Sequence, residues 1–347
     1  MSFKTVYVKT TGTCNLNCDH CFTSGRNGDP TRFDPNQVYG WIQDLRSNVD
    51  PDTHTHIELH GGEPFMVPIE LLESFAERFE GDPLVSMGAN SNLTFTIKPR
   101  MVKFIQRFLE SRVGTSWDRN IRWDTQSKYQ LWLDNLAFLK AAGITINLKV
   151  SVSKSLVESD PVEFLKEMSK LPVDQIALER LTVGGNSFYN PDIFPNNETQ
   201  DNWYLALLKA YRQDNHGVTI TTLDILIDKV ENNQVKVDTN CRNCEQNIAT
   251  INSDGTIGGC PNVASEQKHA HISQSAKEFL YSEGRIDEIA KELDFSEVCI
   301  TCDVFSICGG DCHRLPWQGK RCGGLKNTLR YLTNKPNPYD PSIIIKV

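Results

Sequence analysis

Eight residues near the N-terminus, Cys14-Asn15-Leu16-Asn17-Cys18-Asp19-His20-Cys21, constrain this chain more than any other stretch. Three thiols fall at spacings of x3 and x2, just after a strand-like run from Phe3 to Lys9. That spacing suits a loop whose thiolates converge on one inorganic centre. Iron–sulfur clusters are ordinarily held by four cysteines. A local set of three leaves one iron open to another ligand. The plain alternative is a zinc knuckle or a group of buried free thiols. A knuckle would bring its fourth ligand nearby, and His20 is too close to Cys21 to serve easily.

Strand-like and helix-like segments alternate through the first two-thirds of the chain. Strands are expected at Phe3–Lys9, His54–His60, Pro83–Ala89, Arg112–Trp117, Ile144–Val152 and Gln175–Leu181. Between and after them, helices are expected at Pro35–Arg46, Ile69–Phe79, Pro99–Leu109, Ser127–Ala142, Pro161–Ser169 and Asn202–Arg212. Alternation of this kind implies parallel strands with right-handed crossovers. The expected fold is α/β, a partial (β/α)6 TIM-like barrel, because a full eightfold barrel needs more chain than precedes the next cysteines. After about residue 235 the glycine and cysteine density rises. A hairpin turn is expected at Asn252-Ser253-Asp254-Gly255, and Ala276–Glu292 is the helical stretch there. Residues 1–234 are therefore assigned to the barrel and 235–347 to a small domain held by metal more than by an apolar core.

The C-x3-C-x2-C spacing resembles the signature of the radical S-adenosylmethionine superfamily. The resemblance implies a 4Fe–4S cluster on Cys14, Cys18 and Cys21 whose open iron chelates S-adenosylmethionine. Reductive cleavage would then give methionine and a 5′-deoxyadenosyl radical. The residue before the third cysteine is often aromatic in that family; here it is His20, with Phe22 just after and assigned to the cofactor site. A second match is His60-Gly61-Gly62-Glu63-Pro64, which follows the second strand. Two glycines let backbone approach a ligand closely, and barrel sites form at the C-terminal ends of strands. The run resembles the family's GGEP motif, which implies that Gly61, Gly62, Glu63 and Pro64 bind the cofactor.

Further strand-end residues are candidates by the same resemblance. Ser116-Trp117-Asp118 resembles a fourth-strand Ser-x-Asp. Ser151 and Ser153 would reach the ribose or the methionine carboxylate, and Leu181 the adenine. Asn90-Ser91-Asn92 stands where many members have Thr-Asn-Gly. Each of these also reads as ordinary strand-end packing or capping. His54, His56 and His60 share one strand face, a pattern that zinc can use, although His60 belongs to the glycine motif.

The remaining thiols form the second signal. Cys241, Cys244 and Cys260 are followed by Cys299, Cys302, Cys308, Cys312 and Cys322. Eight thiols suffice for two fully ligated 4Fe–4S clusters, while paired C-x2-C also suits zinc ribbons. Gly-x4-Cys followed by Cys-x2-Cys-x5-Cys-x3-Cys and a last cysteine resembles the SPASM extension of radical S-adenosylmethionine enzymes. By that resemblance Cys241, Cys244, Cys260 and Cys312 hold an inner auxiliary cluster, and Cys299, Cys302, Cys308 and Cys322 an outer one. All eleven cysteines are then used by three clusters.

No apolar run is long enough to cross a membrane, and no export signal precedes the first strand, so a cytoplasmic location is expected. Eleven thiols without export argue for metal or redox use over disulfides. A formal charge of −8 makes nucleic acid a poor partner. The resemblance implies a peptide-modifying maturase: hydrogen abstraction from a ribosomally made precursor peptide, then an oxidative crosslink. A dehydrogenase or epimerase acting on one side chain or a small molecule is the alternative, and a non-catalytic zinc-ribbon binding protein is the alternative of another class. A reducing partner such as flavodoxin or ferredoxin is implied. No fused peptide-recognition domain precedes the first strand, so a separate recognition protein is expected if the barrel does not read the leader itself. Asp118, Glu179 and Asp311 are the candidate bases. The sulfatase-maturing branch carries an Asp directly after the cysteine matching Cys260; Pro261 stands there, which disfavours formylglycine formation.

Overall fold

Strand alternation decides which face of the sheet meets the helices. In β1 (Thr5–Lys9), Val6 and Val8 are fully buried, while Tyr7 turns to the opposite face. The same alternation runs through β2 (Thr55–His60), β3 (Val85–Ala89), β4 (Arg112–Trp117), β5 (Thr145–Val152) and β6 (Gln175–Arg180). Ile57, Leu59, Val113, Ile146, Leu148 and Ile176 pack into the core, and Glu58, His60, Ser116, Lys149, Ser151 and Glu179 line the other side. The structure is a computed structural model and describes residues 4–50, 52–231 and 242–334.

The six strands run parallel in sequence order. β1, β2 and β3 pair in one ladder, and β4, β5 and β6 in another. A parallel bridge between Asn90 and Gly114 joins the two. This is the partial-barrel arc that the sequence alternation implied. Helices cover its outer face: α1 (Pro35–Ser47), α2 (Ile69–Ala76), α3 (Pro99–Phe108) and α4 (Gln126–Ala141), then α5 (Lys154–Val157), α6 (Pro161–Met168), α7 (Asn197–Gln213) and α8 (Thr221–Glu231). Asp34 caps α1 by accepting from the backbone N–H of Asn36 and Gln37, with Pro35 in the first turn.

Several elements depart from the sequence expectation. Helix α7 begins at Asn197, five residues early, because the Asn196 side chain caps it. Helix α8 was not foreseen. The expected helix Ala276–Glu292 is two helices, Ala276–Leu280 and Glu283–Leu293. The buried Arg285 guanidinium donates to Leu280 O at 2.7 Å, taking an acceptor that a continuous helix would need.

The expected hairpin is present as β7 (Ile248–Ile251) and β8 (Thr256–Gly258), with β9 (Ala270–His271) beside it. Its placement is the larger finding. β7 pairs in parallel with the free edge of β1, so one sheet runs β3-β2-β1-β7-β8-β9. Ala249, Ile251, Ile257 and Phe279 belong to the same apolar core as the barrel. The C-terminal part is thus tied to the barrel by a shared sheet as well as by whatever its thiols hold. The expected boundary at 234/235 lies outside the described residues, as does Cys241. Among the described residues, no helix is long and apolar enough to cross a membrane.

Candidate active site

The loop carrying Cys14, Cys18 and Cys21 is laid directly on the glycine turn after β2. Gly62 N donates to Thr11 O and Glu63 N to Thr13 O, both at 2.9 Å. The backbones are so close that a Cβ on Gly62 would sit 2.0 Å from Thr13 O. Gly61, at φ +142°, would put one 2.3 Å from Thr11 O. These glycines set the position of the thiol loop. Gly62→Ala is therefore expected to lower iron retention and the melting temperature sharply. Gly40→Ala in α1, where nothing lies within 4 Å, should be neutral or stabilising by up to about 1 kcal/mol. Iron assay and thermal melts of the two variants check the contrast.

Cys14, Cys18, Cys21, Phe22, Gly61, Gly62, Ser116, Ser151, Glu179 and Leu181 all line one cavity of about 260 Å³ inside the barrel arc. Ten of the residues singled out in the sequence are thus brought together. Burial pushes the Cys14 thiol up to about 11 and Cys18 to about 12, against the pull of the Arg122 guanidinium on Cys18. Thiols in this setting ionise when a metal centre takes them. The buried Nδ1 atoms of His20 and His60, which also line the cavity, lack partners. Orphaned ring nitrogens beside three thiols fit a site built to receive a polar cofactor.

Glu63, Pro64 and Ser153 stand behind the wall. Glu63 is fully buried and accepts from Ser91 Oγ at 2.8 Å, Asn92 N at 2.7 Å and Phe65 N at 3.2 Å. Asn92 in turn donates to Asn15 Oδ1 at 2.7 Å and to Cys14 Sγ at 3.4 Å. Glu63 thereby couples the glycine turn to the thiol loop. Pro64 O accepts from the buried Thr10 hydroxyl. Ser153 is fully buried, its hydroxyl paired with Ser155 Oγ.

The three candidate acids separate clearly. Asp118 is fully buried; its carboxylate pairs with Arg122, accepts Ser151 N at 2.8 Å and faces His20 Nε2 at 3.5 Å. Burial would raise its pKa, but Arg122 and His20 outweigh burial and hold it below the usual carboxylate range. Asp311 is clamped by Arg180 through two contacts of 2.6 Å and does not reach this cavity. Its pKa too is held low, Arg180 overriding burial. Glu179 is exposed and opens into the cavity beside Ser151, its register partner on β5.

Sequence reasoning missed several wall residues. Tyr7 and Lys149 follow from strand alternation once the inward face is known, whereas His60 was already marked by the glycine motif. Burial, with Lys149 and Lys9 nearby, drives the His60 pKa down to about 3, so its ring is neutral. Phe22 stacks on that ring at 6.1 Å. Arg122 and Asn262 sit on irregular backbone and carried no periodic signal. Of the three histidines on the β2 face, His60 alone lines the cavity; His56 is bound to Ser86 and Glu58, each at 2.9 Å.

The C-terminal thiols gather in two neighbourhoods. Cys299, Cys302, Cys308 and Cys322 line a cavity of about 390 Å³, which Cys312 also touches. Cys260 feels the charge of Cys312, and burial raises its thiol to about 11. Cys244 and Cys260 both act on Tyr7 at the barrel wall. A third space of about 380 Å³ shares Glu179, Arg180, Thr182 and Asn262 with the barrel cavity, and Cys308, Asp311 and Cys312 with the outer one. Among the described residues, no three His, Cys, Asp or Glu side chains form a single-ion site.

No protein-family profile and no curated protein sequence matches this chain. Solved structures do. Native anSMEcpe with bound AdoMet and the Cp18Cys peptide superposes with a TM-score of 0.74 at 17% identity, over 95% of each chain. Streptococcus suis SuiB bound to S-adenosylmethionine gives 0.59 at 14% identity, over 90% of this chain and 73% of SuiB. SuiB bound to its precursor peptide SuiA gives 0.60 at 13% identity, over 90% of this chain and 72% of SuiB. The fold is the one seen in anSMEcpe and SuiB.

Proposed function

We propose that this chain, which has the radical S-adenosylmethionine and SPASM fold, removes hydrogen from a ribosomally made peptide and closes an oxidative intramolecular crosslink. The observation that carries the reading is the meeting of three thiols, the Gly61–Gly62 backbone and one solvent-open carboxylate on a single cavity. Cys14, Cys18 and Cys21 would hold the cluster that binds S-adenosylmethionine. Cys244, Cys260 and Cys312, with Cys241, would hold the inner auxiliary cluster; Cys299, Cys302, Cys308 and Cys322 would hold the outer one. When bound, these groups supply a 5′-deoxyadenosyl radical at the barrel and a one-electron sink behind it. The peptides in the structures of anSMEcpe and SuiB support a peptide substrate here.

The chain's own residues supply the rest. Phe22 and His60, stacked on the cavity wall, would limit water access to a substrate carbon held there. Arg122 balances thiolate charge. A crosslink removes two hydrogens from the substrate, one as an atom and one as a proton. Glu179 would hold the proton, since Asp118 and Asp311 are committed to arginines. Pro261 lines the same wall. A reductant of the flavodoxin or ferredoxin class and, for leader recognition, a separate protein complete the proposed partners.

Co-expression with a candidate precursor peptide tests the reading by mass spectrometry. A peptide lighter by two hydrogens, with a new crosslink in its fragmentation, is expected. An unchanged mass with an inverted stereocentre would point to epimerisation instead. Glu179→Gln should cut product formation by about 10²–10⁴-fold while 5′-deoxyadenosine still forms, uncoupled. Equal loss of both would remove Glu179 from the proton's path.

A further inference from the structure

Glu245 follows Cys244 directly and belongs to none of the motifs above. It lies in the one-turn helix Cys244–Asn247, just ahead of β7, and it is fully buried. Its carboxylate oxygen Oε1 accepts the backbone N–H of Cys260 at 3.1 Å. The residue after one inner thiol thus holds the main chain of another. The main chain of Glu245 is fixed in turn by the helix Glu283–Leu293. Its N–H donates to Glu292 Oε1 at 3.1 Å, and its carbonyl accepts from Arg285 Nη2 at 2.6 Å. Both partners are fully buried.

Room for the carboxylate comes from Gly259, where a Cβ would fall 1.6 Å from Glu245 Oε2. That second oxygen faces His269 Nε2 at 3.5 Å. Arg314 Nη2, two residues past Cys312, stands 3.7 Å from Oε1. Burying a carboxylate is costly, and an apolar side chain of the same volume would fill this place without that cost. What the apolar side chain lacks is an acceptor for the Cys260 N–H. The carboxylate therefore acts as a pin between the Cys244 and Cys260 segments, with the Cys312 segment against it through Arg314.

We propose that Glu245 is a positioning residue for the inner auxiliary thiols. Its bond to the Cys260 N–H sets Cys260 against Cys244, and the inner cluster is retained only while that bond is made. The proposal rests on the cluster assignment given above. The bond needs an acceptor oxygen and not a charge, so glutamine can take the place of glutamate. Glu245 lines neither the cavity of the barrel thiols nor that of the outer ones, so both of those sets serve as internal controls.

Iron assay and electron paramagnetic resonance of the reconstituted full chain test this. Glu245→Met keeps the volume and removes the acceptor. Iron should fall from about twelve to about eight atoms per chain, with one cluster signal lost and circular dichroism unchanged. Combined with Cys302→Ala, which removes a thiol of the outer set, it should leave about four. Gly259→Ala, which drives a methyl group into the carboxylate, should lose the same iron as Glu245→Met. Glu245→Gln should retain it. Full iron in Glu245→Met, an equal loss in Glu245→Gln, or loss of secondary structure along with the iron would overturn the proposal. A parent chain that itself holds no more than about eight iron atoms would sink the inner-cluster assignment instead, which is a distinguishable result.

Discussion

Replacing Cys18 with alanine is expected to abolish 5′-deoxyadenosine formation in the air-free, reconstituted protein. On the proposed three-cluster assignment, iron should fall from about twelve to about eight atoms per chain. Cys18 is the middle thiol of the barrel set, 8% exposed and within reach of the Arg122 guanidinium. With Cys14 and Cys21 alone, two irons would lack a protein ligand, and a buried loop shaped around Gly61 and Gly62 offers no other thiol. The informative control is Cys302→Ala, which removes a thiol from the outer cavity. It should also lose iron but still cleave S-adenosylmethionine, because the outer cavity contains none of Cys14, Cys18 and Cys21. Iron assay and chromatography of the nucleoside products separate the two. Equal cleavage by the Cys18 variant and the parent would mean that the N-terminal thiols are not the cofactor site.

The second large effect lies between the barrel and the C-terminal thiols. Arg180, at the end of β6, grips Asp311 with two contacts of 2.6 Å and donates to Gly323 O at 3.0 Å. The two side chains are only 18% and 19% exposed. Arg180→Met leaves the Asp311 carboxylate in that setting with the Cys312 N–H as its remaining backbone donor. Breaking a buried pair in this way costs roughly 3–5 kcal/mol, and the residual exposure argues for the lower end. A melting temperature lower by roughly 4–7 °C is expected for the cluster-loaded protein. Asp311→Asn on the same background should recover part of it, since no lone charge is left. A loss of under about 1 kcal/mol would show that other contacts hold Asp311 and its flanking thiols in place.

Much of the scaffold was legible because its signals are local. Strand β4 is Arg112–Trp117 as expected, and the Asp34 cap and Pro35 start of α1 follow from their side-chain chemistry. What escaped depends on partners distant in sequence. Nothing in Ile248–Ile251 says that it will pair with β1 rather than only with its own hairpin, because pairing is settled by what free edge the barrel leaves. The break at Tyr281–Ser282 depends on a buried arginine claiming a carbonyl.

The site shows the same division. Thiol spacing and the paired glycines mark their positions because few other structures need them. The three acids look alike in sequence, each at a strand end or beside a cysteine. Their difference lies in partners: Arg122 for Asp118, Arg180 for Asp311, and open cavity for Glu179. Arg180 and Asp311 are 131 residues apart, beyond any local pattern. Lys149 was within reach, since Asn147, Lys149 and Ser151 alternate along one face of β5.

One titration bears most directly on the proposed cofactor site. The anaerobically reconstituted chain is reduced, S-adenosylmethionine is added, and the cluster signals are followed by electron paramagnetic resonance. A change in one cluster's spectrum, absent in Cys18→Ala and accompanied by 5′-deoxyadenosine, is the predicted result. A chain that carries zinc at these thiols and whose spectrum ignores the cofactor would contradict it.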